Sequence, residues 1–321
     1  MVVPEQSPQR NLAIISRNVL AQAVELIGTV VSYSATALLL AVTLLVAILP
    51  ARLVDAVAAW LGRRVYARGG RRSRQLRANL SVAMGPSASA QDVHAAAGDV
   101  YASYGRYLVE YFTMIWPDWW RRHRRVEIDS SELAAALDAG RGAIIVSMHA
   151  ASFEIAAREL RRRHAPISSA GERLRPHWLG RVFAMIRRQA KIEVHDEREA
   201  ARPLLRALRR NEAVGLAADR VIIGDGVPVQ LCGETAILPK GPALLAIMSG
   251  APLMPAFTRR LPDGRVQGYF GRAIHLRDLD RSNDGLQEGV QRMADVLTEM
   301  IGYGYRSWYA LHPVWQAARV P

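Results

Sequence analysis

The sequence predicts an α/β fold: a central, mostly parallel sheet flanked by helices, with an N-terminal hydrophobic helix that anchors it in a membrane. From residue 125 onward, short apolar runs alternate with segments of helical periodicity, a pattern typical of a parallel sheet covered on both faces. Before that point, the 26 residues between Glu25 and Arg52 carry no charge. We expect residues 1–50 to form a tail and membrane anchor, and residues 51–321 an α/β domain with a basic helical first part.

The uncharged stretch is long enough to span a bilayer, since a spanning helix needs about 20 apolar residues. Its second half is almost wholly aliphatic, and Pro50 ends it. Serines and threonines in its first half leave a buried or interfacial helix as the alternative. Eight arginines and a single aspartate follow between residues 52 and 77. By the positive-inside rule, this asymmetry predicts a protein of the cytoplasmic membrane whose main body lies on the cytosolic side.

Two further helices are predicted before the α/β part. Residues 52–68 form a basic amphipathic pattern that the pair Gly69-Gly70 breaks. Between residues 91 and 115, tyrosines and aliphatic side chains recur at spacings of three and four, which predicts a helix with a core-packed face. The aromatic and cationic cluster at 116–125 suits a membrane interface.

The alternating part contains four predicted strands, at 142–148, 166–169, 213–218 and 252–258. Five helical patterns separate or follow them, at 153–163, 176–189, 199–210, 239–249 and 285–301. Ligands of such sheets bind at the carboxyl ends of the strands. His149 follows the first strand directly, so it is expected at such an end.

Composition excludes several classes of protein. Cys232 is the single cysteine, so neither an intramolecular disulfide nor a cysteine metal cage can form. A serine-hydrolase elbow, a dinucleotide fingerprint and a P-loop are absent from the sequence, and the remaining histidines show no metal-ligand spacing. We therefore expect no metal and no cofactor. The net charge of +13 predicts phosphate-bearing partners, whether anionic lipid, a phosphorylated carrier or nucleic acid.

His149 and Glu154 are the candidate catalytic pair. The histidine lies in the turn after a strand, and the glutamate lies in the first turn of the following helix. A neutral imidazole there can accept the proton of a hydroxyl nucleophile, while a carboxylate bonded to its other nitrogen fixes the tautomer. The alternative is that His149 packs or caps, and that Glu154 only complements the helix dipole.

The chain resembles the bacterial lysophospholipid-acyltransferase-like superfamily, with its His-X4-Asp/Glu motif, here His149-Ala-Ala-Ser-Phe-Glu154. It is most similar to the branch of lipid A lauroyl/myristoyl and phosphatidylinositol mannoside acyltransferases. Further matching blocks are the run ending at Asp219-Arg220, the segment 237–264 and the closing WYALHPVW at 308–315. The resemblance covers roughly residues 50–316.

The resemblance implies transfer of a fatty acyl group from acyl-CoA or acyl-carrier protein to a glycolipid hydroxyl, with His149 as base. It further implies that the acceptor and reaction centre involve Glu172, Arg173, Arg187, Asp219 and Arg220. The alternative for Arg187 and Arg220 is that they are surface or fold-stabilising cations. Lys240 and the helix after it could hold a phosphate, or form a plain turn.

The Asp219-Arg220 pair favours a phosphatidylinositol mannoside-like acceptor, and a lipid A precursor is the competing one. The alternative from another class is a non-enzymatic membrane protein that binds anionic lipid or nucleic acid. Such a protein would not need His149 and Glu154 at these positions, so the enzyme is favoured and no nucleic acid partner is expected. The partners are then the acyl thioester donor, acyl-carrier protein among them, the glycolipid and the cytoplasmic membrane leaflet.

Overall fold

The computed structural model describes residues 31–116, 126–172, 176–221, 226–261, 263 and 265–315. The first of these segments contains four helices joined by short turns: α1 covers Val31–Ile48, α2 Ala51–Ala67, α3 Arg71–Met84 and α4 Ala90–Thr113. The alternating part then runs β1 (Val126–Ile128), α5 (Ser131–Asp138), β2 (Ala143–Ser147), α6 (Phe153–Arg163), β3 (Ile167–Gly171), α7 (His177–Gln189), β4 (Ile192–Asp196), α8 (Ala201–Arg209) and β5 (Ala213–Ala217). It ends with β6 (Gly226–Leu231), β7 (Glu234–Pro239), α9 (Gly241–Ser249), β8 (Leu253–Arg260), β9 (Val266–Phe270), α10 (Asn283–Gly304) and a 3₁₀ turn (Tyr305–Ser307).

The central sheet has seven strands in the order β1-β9-β8-β2-β5-β3-β4. All neighbours pair in parallel except β8 and β9, which are antiparallel. Strand β2 lies at the centre, and Ile144 and Val146 on it are fully buried. Because the chain leaves β2 and β5 at the same edge of the sheet, the residues that follow these two strands are brought together.

The predicted α/β architecture is confirmed. The four predicted strands correspond to β2, β3, β5 and β8, and the five predicted helices to α6 through α10. Sequence patterns missed β1, β4, β9 and the separate β6–β7 hairpin. The edge strand β4 explains why: its residues are partly buried or exposed, so Glu193, His195 and Asp196 interrupt the apolar run that marks a central strand.

Helix α2 packs tightly on α4 through small residues. A Cβ atom added to Gly62 would lie 2.1 Å from the carbonyl oxygen of Tyr101, and one added to Gly105 would lie 2.3 Å from that of Ala58. The opposite face of α2 is apolar and exposed, with Leu53, Val57, Trp60, Leu61 and Val65 between 46% and 55% accessible. The helix therefore has one face on the protein and a second, apolar face that is not covered by the described residues.

Helix α1 is long and apolar enough to cross a membrane, with a mean hydropathy of 2.2 over Val31–Ile48 and only 6% of this segment buried. Its contact with the body includes the indole of Trp116, which donates a hydrogen bond to Thr43 over 3.2 Å. The predicted interfacial cluster at 117–125 lies outside the described residues.

Candidate active site

A short turn after β2 carries His149, and main-chain bonds fix it from several sides. Ala151 has a φ of +42°, a conformation that costs energy for a residue with a side chain and that persists only when its surroundings impose it. Its N–H donates to the carbonyl oxygen of Ser307 at 2.9 Å, and its carbonyl accepts from the Tyr309 hydroxyl at 2.9 Å. Tyr309 N–H also donates to the His149 carbonyl at 2.7 Å. The turn is therefore held rigidly by the segment after α10.

The His149 ring is oriented by Asp219, which follows β5 on the neighbouring strand. Nδ1 of His149 lies 2.8 Å from Oδ1 of Asp219, and the His149 N–H donates to Oδ2 over 3.1 Å. The indole of Trp308 also donates to Oδ2, over 3.0 Å. Asp219 is 1% exposed and His149 30% exposed. Because Nδ1 faces the carboxylate, Nε2 is the ring nitrogen left for a substrate.

Electrostatics favour an ionised Asp219 beside a basic imidazole. Burial alone would raise the pKa of Asp219, but the adjacent His149 ring holds that pKa well below its usual range. Burial alone would lower the pKa of His149, but the Asp219 carboxylate raises it by more, so the pKa of His149 lies above its ordinary value. This pairing stabilises the imidazolium that forms when His149 accepts a proton.

Glu154 does not bind His149 as the sequence predicted. It lies in the first turn of α6, and its Oε1 accepts a hydrogen bond from Tyr107 of α4 over 2.9 Å. Within the described part of the chain, its Oε2 is buried without a hydrogen-bond partner. Burial raises the pKa of Glu154 to about 7. The carboxylate that orients His149 is thus Asp219 in place of the predicted Glu154, because β5 ends beside β2 whereas the first turn of α6 directs Glu154 towards α4.

A buried charged cluster fastens the start of α6. The Ser152 hydroxyl donates to Glu110 of α4, and a guanidinium nitrogen of Arg260 at the end of β8 lies 2.6 Å from the same carboxylate. Arg260 also donates to Ser152 over 2.9 Å. The Arg260 side chain is 5% exposed and that of Glu110 13% exposed. Removing one partner of such a pair would leave a buried charge uncompensated.

The other predicted site residues are distributed unevenly. Arg187 on α7 contacts the ring of Phe183, with 5.8 Å from its guanidinium carbon to the ring centre, and it lies close enough to Glu154 to favour the ionised carboxylate. Glu172 and Arg220 form an ion pair of 2.9 Å near the surface. Arg173 lies outside the described residues.

Lys240 is separate from this group. It is the exposed N-cap of α9, so the turn before a helix that the sequence suggested is present. Its main-chain oxygen accepts the hydrogen bond of Leu244 N–H over 2.9 Å, and its side chain forms no hydrogen bond or ion pair with any residue that the structure describes.

Sequence reasoning also missed residues that hold the two carboxylates of the site. His312 shows no metal-ligand spacing in the sequence, yet its Nε2 lies 2.9 Å from the main-chain oxygen of Asp219. Trp308 holds the same aspartate, and Tyr107, interpreted as core packing, holds Glu154. The only signal for the first two was their place in the closing WYALHPVW block. In the described ranges, no group of three or more His, Cys, Asp or Glu side chains is placed to hold a metal ion.

Comparison with known proteins decides the family. The sequence model of the bacterial lipid A biosynthesis acyltransferases matches residues 28–317. The chain belongs to this family. It is therefore an acyltransferase, and the alternative of a non-enzymatic binding protein is excluded.

Curated relatives support the same assignment. A phosphatidylinositol mannoside acyltransferase of Mycolicibacterium smegmatis is 32% identical over 278 residues, covering 83% of this acyltransferase and 89% of the relative. One of Mycobacterium tuberculosis is 34% identical over 264 residues, covering 80% and 81%. Among solved structures, the 1-acyl-sn-glycerophosphate acyltransferase PlsC of Thermotoga maritima has a TM-score of 0.36 and 14% identity, and covers 78% of this chain and 95% of its own.

Proposed function

We propose that this acyltransferase moves a fatty acyl group from acyl-CoA or acyl-carrier protein to a hydroxyl of a phosphatidylinositol mannoside-like glycolipid. The observation that supports it best is the partly exposed His149 ring, held by the buried Asp219 at the carboxyl edge of the sheet. The names of the curated relatives favour this acceptor over a lipid A precursor.

In the proposed reaction His149 acts as a general base. Nε2 accepts the proton of the acceptor hydroxyl while the hydroxyl oxygen attacks the thioester carbonyl carbon. The C–S bond of the tetrahedral intermediate then breaks, the sulfur receives the proton from the imidazolium, and the new ester leaves with the free thiol. Asp219 keeps Nδ1 protonated and stabilises the imidazolium in between. No covalent acyl-enzyme is required, because the thiol is a good leaving group.

Glu154 has a different role in this proposal. Its pKa of about 7 allows it to carry a proton at neutral pH, and Oε2 has no hydrogen-bond partner among the described residues. A protonated carboxyl could donate to an oxygen of the bound acceptor or of the thioester, as a neutral acid does in apolar sites. We assign Arg187 to the same wall of the site, since it lies beside Glu154.

The substrates would reach the site from the bilayer. An apolar pocket lies between the α1–α2 junction and helices α4 and α6, with Val46, Val54, Met114 and Ile155 in its walls. Glu110 also lines this pocket and accepts a hydrogen bond from Ser152 in the turn after His149, so the pocket reaches from the membrane-facing helices to the residues that fasten that turn. We assign it to the acyl chains of the lipid substrates.

We place the protein at the cytoplasmic membrane with the sheet on the cytosolic side. Helix α1 would span or enter the bilayer, and the exposed apolar face of α2 would lie in the headgroup region. Arginines near the end of α2, Arg63 and Arg64, suit anionic lipid there. The arginine-rich flank supports the cytosolic orientation.

The His149→Ala variant tests the mechanism. The purified full chain would be assayed in detergent with palmitoyl-CoA and a phosphatidylinositol mannoside. We expect kcat to fall by roughly 10²- to 10⁴-fold, the usual contribution of a general base. His164→Ala is the matched control, because the His164 ring lies at the opposite end of α6, where its Nε2 is 2.7 Å from the Ser130 hydroxyl. Acyl transfer at the wild-type rate by His149→Ala would contradict the proposal.

A further inference from the structure

A cationic cavity lies directly behind the catalytic turn. It has a volume of about 470 Å³, and its walls include Arg259 and Arg260 at the end of β8 and Arg306 in the 3₁₀ turn after α10. Tyr303 and Tyr305 add aromatic surface to it, and the Arg306 guanidinium lies 5.6 Å from the centre of the Tyr305 ring. The combination of several guanidinium groups and aromatic rings is typical of sites that receive phosphate esters.

The cavity is joined to the active site by Ser307. Its carbonyl oxygen accepts the hydrogen bond from Ala151 in the catalytic turn over 2.9 Å. Its hydroxyl accepts from the main-chain N–H of Arg260 over 3.3 Å. One residue therefore separates the cavity wall from the turn that carries His149.

Positive charge in this region exceeds what the nearby carboxylates neutralise. Asp99 is shared by two arginines, Arg63 and Arg306, at 2.8 and 2.7 Å. Among the described residues, the Arg259 side chain donates a hydrogen bond to the neutral Gln267 over 2.8 Å and forms no ion pair. An anion in the cavity would complete this arrangement without removing any of these contacts.

Arg106 on α4 shows the same excess. It forms no ion pair with a residue that the structure describes, and its Nε is buried without a hydrogen-bond partner there. Burial lowers its pKa, and the neighbouring Arg260 and Arg63 lower it further. Cations that crowd one another in a partly desolvated region are stabilised by a bound anion.

We propose that this cavity is a phosphate-binding subsite, with Arg259 and Arg306 as its accessible ligands and Arg106 and Arg260 as the charges behind them. The ligand would be a phosphate ester of one of the two substrates: the coenzyme A or phosphopantetheine part of the acyl donor, or the phosphodiester of the glycolipid acceptor. The inference rests on the proposed acyl transfer and adds to it the place where a substrate phosphate is held.

Steady-state kinetics of Arg259→Gln test the subsite and identify the source of the phosphate. The donor arm compares palmitoyl-CoA with S-palmitoyl pantetheine, which has no phosphate. The acceptor arm compares a phosphatidylinositol mannoside with a glycosyl diacylglycerol. In Arg259→Gln we expect the KM of the phosphate-bearing substrate of one arm to rise roughly 10- to 100-fold, because one charge-assisted hydrogen bond is lost. We expect kcat to stay nearly constant. The KM of its phosphate-free analogue should not change.

Two variants complete the design. Arg259→Lys keeps the charge and should recover part of the lost affinity, whereas a purely structural role would not respond to charge. Arg281→Gln, an exposed arginine before α10, is the control and should behave as wild type. Unchanged KM values for both phosphate-bearing substrates in Arg259→Gln would overturn the subsite.

Direct binding separates the two proposals. Calorimetry with free coenzyme A, and with phosphatidylinositol against diacylglycerol in detergent micelles, measures the subsite without turnover. If the wild-type protein binds either phosphate ligand, Arg259→Gln weakens that binding, and the wild type transfers no acyl group, then the subsite stands and the proposed function is wrong. If the wild type transfers the acyl group but Arg259→Gln binds both phosphate ligands as tightly as the wild type does, then the proposed function stands and the subsite is wrong.

Discussion

The Asp219→Asn substitution is the most direct test of the structure against the sequence motif. The carboxylate bonds His149 at Nδ1 over 2.8 Å and at the main-chain N–H over 3.1 Å, and it accepts from Trp308 over 3.0 Å. An asparagine of the same shape keeps the packing but loses the charge, and its amide can present a donor to Nδ1. The proton of the ring would then move to Nε2, where the base is needed.

The magnitude follows from these contacts. Loss of one charge-assisted hydrogen bond to the imidazolium costs about 1.5–3 kcal/mol, which lowers kcat about 10- to 100-fold. Inversion of the tautomer adds to this loss, and the same change in an unrelated Ser-His-Asp enzyme lowers kcat about 10⁴-fold. We therefore expect kcat for Asp219→Asn to fall by roughly 10²- to 10⁴-fold, with a much smaller change in KM.

The pH dependence gives an independent readout. The Asp219 carboxylate raises the pKa of His149, and the base must be unprotonated, so the acid limb of kcat/KM reports this pKa. Without the carboxylate the pKa falls and the acid limb moves to lower pH. In Glu154→Gln the limb should move far less, because no hydrogen bond joins that carboxyl to the ring in the described structure.

The assay is acyl transfer by the purified full chain in detergent between pH 5 and 9. Asp278→Asn is the matched control, since Asp278 forms a surface ion pair with Arg292 on α10. If Asp219→Asn kept kcat within about threefold of wild type and left the acid limb in place, or if Glu154→Gln moved the limb instead, the assignment of the orienting carboxylate would be wrong.

Two further predictions concern stability and membrane contact. Burial in the folded state raises the pKa of Glu154 from 4.5 to about 7. Between these two values the folded protein keeps a proton on Glu154 that the unfolded chain releases. The free energy of unfolding should therefore fall as pH rises from 5 to 8, by up to about 3 kcal/mol. Glu154→Gln should therefore have a higher Tm than wild type at pH 8 and little advantage at pH 5, as measured by thermal unfolding in detergent. Glu132→Gln, an exposed glutamate on α5, serves as control, and an equal Tm difference at both pH values would contradict the argument. In a Cys232→Ser background, a fluorophore attached to Trp60→Cys in α2 should be quenched by nitroxide lipids in nanodiscs. A fluorophore attached to Met248→Cys in α9 is the control and should not be quenched. If only aqueous iodide quenched the label at position 60, α2 would not lie at the membrane interface.

The sequence predicted the fold well where apolar runs are continuous. Strands such as β2, buried on both faces, consist of short apolar segments, and β2 and β3 are each followed by an amphipathic helix. The edge strands were missed because solvent on one side permits polar residues, as in β4 with its Glu193. The short β1 has only three residues and leaves no periodicity to detect.

The candidate site was predicted only in part. His149 was found because a histidine after an apolar run is unusual and because the family motif includes it. Glu110, Ser152 and Arg260 were not found, since they come from three elements far apart in the chain and meet only through folding. Their individual sequence contexts resemble those of ordinary helix, cap and strand residues.

The sequence by itself determined the alternating architecture, the hydrophobic N-terminal helix and the place of His149 at the end of a strand, because all three follow from local periodicity and from the order of residues along the chain. Which carboxylate orients His149 was decided only by the tertiary structure. Local spacing suggested Glu154, five positions away. The parallel pairing of β2 with β5 instead brings Asp219, 70 residues later in the chain, to within 2.8 Å of the ring. Adjacent parallel strands end at the same edge of the sheet, so sheet order and not sequence distance selects the partner.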